Sequence, residues 1–202
     1  TLSSSSAASD VYKRQALLAP QLRLALLRLS RVEAAKDLAI RGLRGLAGFA
    51  KRLKVSFADI EVGFDYEPEP GLADNGDLEG DLAALLEQVG RAAQAADTVV
   101  AMFIDELQYV AEDQLAALIS ALHRCAQQKL PVTLVGAGLP QLRGRMGEAK
   151  SYAERLFNFS EIGALSRGDA SSAITLPAKE EGVEIEPAAV DAIITETQGY
   201  PY

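Results

Sequence analysis

Tryptophan is absent, and cysteine and histidine occur once each, as Cys125 and His123. A lone thiol cannot form an intramolecular disulfide, and this fits a reducing cytoplasm. One histidine and one cysteine also leave no His/Cys set for a zinc ion. Long apolar runs are missing, because Arg, Lys, Asp or Glu interrupts every stretch that approaches membrane-spanning length. Positive charge is in deficit as well. The 202 residues carry 20 Lys and Arg against 28 Asp and Glu, a formal charge of −8. That balance argues against a nucleic-acid coat while leaving room for a local basic patch. The missing tryptophan excludes nothing.

What is present is ordinary for a soluble globular chain: 49% hydrophobic and 24% charged residues, enough for one domain or one domain with a small appendage. Residues Thr1 to Gln15, TLSSSSAASDVYKRQ, have neither an initiator Met nor a signal-peptide layout. Leu2 to Gln15 resembles a stretch that recurs in front of unrelated environmental sequences and reads as cloning or assembly residue. A natural Ser-rich disordered tail is the alternative. Either way, residues 1–15 stand outside the functional argument.

Residues 16–165 read as an α/β layer. Leu22, Leu26, Leu29, Ala34 and Leu38 fall at roughly helical spacing, and Gly42, Gly45 and Gly48 are expected to loosen the second half. Arg23, Arg28, Arg31, Lys36, Arg41, Arg44, Lys51, Arg52 and Lys54 concentrate positive charge there. A DNA-facing surface is one reading. A solvated helical face is favoured, since no aromatic or base-reading side chains interleave the charges. Val55 to Tyr66 then alternates in period two and predicts a β-hairpin near 53–66. The acidic, proline-spaced run Glu67 to Gly71 reads as a loop, not a metal site. Helical spacing resumes over Asp77–Ala95.

Ala111 to Gln128 predicts an amphipathic helix with its stripe through Leu115, Leu118, Ile119, Leu122 and Cys125 or Ala126. Cys125 reads as core and His123 as a boundary residue. Val132 to Gly136 predicts a second buried strand, and Leu156 to Ile162 a third, weaker one. Ser166 to Asp169 has capping-box spacing, starting a helix expected to fail at Pro177. Glu186-Pro187 starts another that Gly199 and Pro201 end. Residues 166–202 thus read as the start of a small helical lid.

The stretch that organises the rest is Thr98-Val99-Val100-Ala101-Met102-Phe103-Ile104-Asp105-Glu106. An unbroken β-branched, apolar run predicts a strand buried on both faces, as in a parallel sheet. Two carboxylates at its end would stand where such sheets bind ligands, and charge there is costly unless paired. A solvated strand end is the plainer alternative.

This stretch resembles the Walker B motif of P-loop ATPases. Asp105-Glu106-Leu107-Gln108 could also fit helicases of the Asp-Glu-x-Gln type, but their Asp and Gln after the next strand are matched only by Gln141. Transporter ATPases are disfavoured, because no Leu-Ser-Gly-Gly-Gln-like signature precedes the strand. The ordered set is similar to AAA+ ATPases of the origin-recognition-like and signalling (STAND-type) prokaryotic branch. It comprises Val99–Glu106, Val132–Gly136, Arg155-Leu156-Phe157 leading into Ile162–Ser166, and Gln198-Gly199-Tyr200-Pro201-Tyr202. The resemblance covers roughly Asp77 to Tyr202.

The resemblance implies a partial P-loop parallel-sheet core with a helical lid, an ATP and Mg²⁺ cofactor pair, and a cytoplasmic hydrolase. Asp105 would hold Mg²⁺ through its water, and Glu106 would polarise the attacking water. Arg155 would act on the γ-phosphate, and the Gly199–Pro201 element would lie near the adenine. Self-association or protein partners, and DNA contact through a further C-terminal domain, are implied on the same footing. Two departures stand out. Gly136-Ala137-Gly138 offers no polar sensor side chain, and no Gly-x-x-x-x-Gly-Lys-Ser/Thr occurs anywhere. The chain therefore reads as a truncated piece of an ATPase, inactive alone. The alternative is a non-catalytic ATPase-like scaffold or interaction module.

Overall fold

Asp77 fixes the start of the longest helix. Its carboxylate accepts the Gly80 N–H at 3.1 Å, and Glu79 and Asp81 place further negative charge in the first turn. In this computed structural model, which describes residues 18–52 and 66–200, that helix is α3, Leu78–Ala95. Before it come α1 (residues 18–29), a 3₁₀ turn Glu33–Ala35 and α2, Lys36–Arg52. After it come β1 (Val100–Ile104), a 3₁₀ turn Leu107–Tyr109, α4 (Glu112–Gln127) and β2 (Val132–Gly136). The order closes with α5 (Leu142–Ala149), α6 (Ala153–Leu156), α7 (Arg167–Glu180) and α8 (Pro187–Thr197). The chain is mixed α/β and mostly helical, and divides between Asn158 and Phe159 into two compact units.

In the first unit, α3 packs against α2 and α4 and buries Leu82, Leu85, Leu86, Val89, Ala92 and Ala93. From α4 come Leu115, Leu118, Ile119, Leu122 and Cys125, with Ala126 turned outward. Glu87, nearly buried on α3, pairs with Arg124 Nη2 at 2.7 Å and Arg91 Nη2 at 3.6 Å. Asp81 is buried and ties down the preceding loop, accepting from Asn75 N, Asn75 Nδ2 and Gly76 N at 2.9–3.2 Å. Both α3 and α4 end in left-handed residues, Asp97 and Lys129, which turn the chain back into β1 and β2.

β1 and β2 pair in parallel, from Val100 opposite Val132 to Ile104 opposite Gly136, with α4 as the crossover. Their carboxyl ends are level, as expected of a βαβ unit. The second unit has a small core of Ala170, Val190 and Ile194, with Ile174 and Ile185 packed against it. Ser166 caps α7, accepting the Asp169 N–H at 3.2 Å.

Five readings of the sequence change. The strands are not buried on both faces: Val100, Met102, Ile104, Val132 and Leu134 are at least partly covered, whereas Ala101, Phe103, Thr133 and Val135 on the alternate face are exposed, because among the described residues the helices cover one face only. Leu156 to Ile162 is no strand: α6 ends at Leu156 and Ile162 is 96% exposed. Phe157 and Phe159 lie in one alternation and Leu156 and Ile162 in the other, so no face collects the apolar side chains. The phase of the early helices slips at the 3₁₀ turn, burying Ala35 and Ala39 instead of Ala34 and Leu38. Gly42 and Gly45 do not loosen α2. A Cβ on Gly42 would lie 2.7 Å from Leu26 Cδ2, and on Gly45 3.1 Å from Leu72, so they are contact surfaces. Pro177 lies inside α7, which continues to Glu180. Its missing N–H and ring affect only the carbonyl of exposed Ala173, one turn back near the helix end. The hairpin expected near 53–66 lies outside the described residues, apart from Tyr66.

Candidate functional site

Strand β1 stops because Leu107 turns inward. Leu107 is 2% exposed, donates its N–H to Ala137 O at 3.0 Å, and lies so close over Gly136 that no side chain fits there. The reversal is made at Glu106, whose φ of 56° and ψ of 40° are left-handed. That conformation costs an L-residue about 1–2 kcal/mol. Burying a leucine returns about 1.5–3 kcal/mol, enough to hold the turn. Asp105 Oδ1 accepts the Glu106 N–H at 2.8 Å, further fixing the peptide between the two carboxylates.

Asp105 and Glu106 are both exposed, at one end of a groove of about 740 Å³. Its walls are α1 (Leu18, Gln21, Leu22, Ala25), Phe49, the start of α3 and part of α4, and its floor is the whole length of β1. Among the described residues that line it, the two carboxylates are the only charged ones. Among the described residues no group of three or more His, Cys, Asp or Glu is placed to hold a metal ion. One carboxylate suffices for Mg²⁺ when phosphates supply other ligands. The described residues thus fit the cation side of a magnesium–nucleotide site, and those among them that line the groove supply no Lys or Arg for its phosphates.

Behind the carboxylates sits Gln108, 5% exposed in the 3₁₀ turn. Its Nε2 donates to Glu106 Oε2, and its Oε1 accepts the Leu139 N–H at 3.2 Å. Gly138 makes the space, since a Cβ there would lie 2.7 Å from Gln108 Oε1. Gln108 thus bridges the carboxyl ends of β1 and β2. Its sequence signal was the fourth position of Asp-Glu-x-Gln; nothing at position 106 signalled the left-handed turn.

Arg155 is exposed on α6 and does not line the groove; its neighbour Glu154 pairs with Arg143 at 3.4 Å. Gly199, with φ of 80°, belongs to the second unit, where its carbonyl accepts the Leu165 N–H at 2.9 Å. A Cβ on Gly199 would lie 2.6 Å from Leu165 O, so both conformation and contact require glycine there. Pro201 lies outside the described residues. His123 stacks near Tyr152, with ring centroids 4.7 Å apart, and its Nε2 meets Gln127 Nε2 at 3.1 Å. Cys125 is buried and its thiol is pushed up to about 11, by desolvation first and then by the Glu87 charge.

A second polar cluster joins α3, α4 and the α5–α6 turn. Lys150 Nζ meets both oxygens of Glu79 at 2.9 Å, and Ser120 Oγ lies 3.0 Å from the Tyr152 hydroxyl. The ammonium, with help from the Ser120 hydroxyl, holds the Glu79 carboxyl below its ordinary range; the Glu79 hydrogen bond raises Lys150 in turn. No helix among the described residues is long and apolar enough to cross a membrane. No protein-family model, no curated protein and no solved structure matches this chain.

Proposed function

We propose that this chain is the Walker B half of an AAA+ nucleotide switch, of the origin-recognition-like or STAND-type branch, whose parent protein binds and hydrolyses ATP. One observation carries the reading. Asp105 and Glu106 follow directly on a strand paired in parallel, level with the end of its neighbour and at the mouth of a groove. Parallel sheets bind ligands outside the carboxyl ends of their strands. Asp105 would hold hydrated Mg²⁺, and Glu106 would take a proton from an attacking water. The cation would supply charge neutralisation at the phosphates. Arg155, Gly199 and Pro201 keep the roles that the resemblance implies, as do the cytoplasmic setting and the DNA or protein partners.

In the parent protein, Glu106→Gln should retain ATP binding and lose most turnover, while Asp105→Ala should weaken Mg²⁺-dependent binding. Unchanged turnover in Glu106→Gln would remove Glu106 from the chemistry. A second reading, a non-catalytic ATPase-like scaffold, is favoured by the absent Gly-Lys-Ser/Thr loop and by the lack of Lys or Arg among the described residues that line the groove. For the chain itself no ATP turnover is expected. Micromolar binding of Mg-ATP by calorimetry would count against the scaffold and show that phosphates are held here after all.

A further inference from the structure

We propose that Gln108 is a positioning residue that sets the direction of the Glu106 carboxylate and ties it to the end of β2. The proposal rests on the reading of Glu106 given above and deepens it. The Glu106 side chain is exposed, yet its carboxylate accepts a hydrogen bond from the buried Gln108 amide. Gln108 is buried and its amide has one orientation only. Leu139 N–H is a donor and must face the amide oxygen; the Glu106 carboxylate is an acceptor and must face the amide nitrogen. A glutamate at position 108 would present a second carboxylate to Glu106. An apolar residue of the same length would leave the Leu139 N–H without its acceptor. Glutamine alone among residues of this size serves both neighbours, and Gly138 leaves its oxygen room.

The arrangement links the carboxylate to the segment after β2, which otherwise offers no polar side chain between Gly136 and Gly138. A shift of Leu139 would move the amide and with it the carboxylate. The backbone already turns Glu106 out of the strand, so the hydrogen bond acts on a side chain whose root is fixed at φ 56°.

The test uses side-chain NMR on this chain. In the wild type, the Gln108 amide protons should exchange slowly, and Glu106 methylene couplings should report one rotamer. Gln108→Met should change those couplings while leaving the thermal midpoint within about 5 °C of wild type, a shift no larger than about 1–2 kcal/mol would produce. Retention of the wild-type Glu106 couplings in that variant would overturn the proposal. Should Gln108→Met not fold, Gly138→Ala displaces the amide oxygen by contact, and the same couplings decide.

In the parent protein, Gln108→Met should lower kcat by about a hundredfold, the usual scale for a misplaced catalytic group, with KM for ATP within about twofold. Equal losses in kcat and binding would mark a merely structural residue. If Glu106→Gln leaves turnover intact, the nucleotide reading fails, while the rotamer measurement still decides whether Gln108 positions the carboxylate.

Discussion

Gly90 lies in the middle of α3, where alanine should be the better helix former by about 1 kcal/mol. The structure predicts the opposite outcome for Gly90→Ala. A Cβ at Gly90 would lie 2.8 Å from Leu130 Cβ and 3.0 Å from Val132 Cγ2. Leu130 cannot swing aside, because the contact is at Cβ and its backbone is pinned. Its N–H bonds Cys125 O at 2.9 Å, its carbonyl accepts from Val132 at 2.8 Å, and Lys129 before it is already left-handed. Helix α3 and the start of β2 must therefore separate. Overpacking of this kind costs about 1–3 kcal/mol, so after the propensity gain of about 1 kcal/mol a net loss of up to about 2 kcal/mol should remain. Gly147→Ala is the control. Gly147 lies within α5, and a Cβ there would have nothing within 4 Å, so this variant should gain up to about 1 kcal/mol of stability. Urea unfolding followed by far-ultraviolet circular dichroism reads both variants. Opposite signs support the packing argument, whereas equal stabilisation would refute the close approach of α3 to β2.

Cys125, buried and titrating far above neutrality, should resist iodoacetamide at pH 8 in the native chain and react once urea unfolds it; labelling at the rate of a free thiol would contradict its burial. The Glu79–Lys150 pair should shape stability at both ends of the pH scale. The lowered Glu79 stabilises above the unfolded carboxyl pKa and loses this as pH falls through its folded value. The raised Lys150 stabilises below the unfolded amine pKa and loses this as pH rises through its folded value. Lys150→Met should therefore cost less than about 1 kcal/mol at neutral pH, as befits a partly exposed pair, and flatten the acid limb below about pH 4. An unaltered acid limb in urea midpoints would sever Glu79 from that limb.

Much of the first unit was legible because its signals are local. The apolar run Val100–Ile104, the Asp77 cap and the stripe from Leu115 to Cys125 each specify an element without help from distant residues. What was not legible depends on contacts across the fold. Gly42 and Gly45 read as weak points in a helix, and only the seats of Leu26 and Leu72 show them as close-packing positions. Leu156–Ile162 had apolar content but no consistent face, and composition alone cannot report that no element covers it. The carboxylate pair was plain from its place after β1. Its holder was not: Gln108 acquires its role from Leu139, 31 residues away, and from a missing side chain at Gly138. The left-handed turn at Glu106 is likewise enforced by burial of the next residue and has no glycine or asparagine to announce it.

The two strands among the described residues bear on how the protein behaves in a concentrated solution. Val100 and Ile104 direct their peptide groups to the β2 side, bonding Pro131 and Ala137 at 2.9 Å, so Ala101 and Phe103 direct theirs the other way. Among the described residues no backbone group meets them, and Phe103 is 76% exposed. An edge of this kind is a template for the strand of another copy. A net charge of −8 keeps copies apart, but over a distance that shrinks to about 8 Å at physiological ionic strength. Salt screens that repulsion, so association of copies through this edge should rise with ionic strength, which light scattering would read.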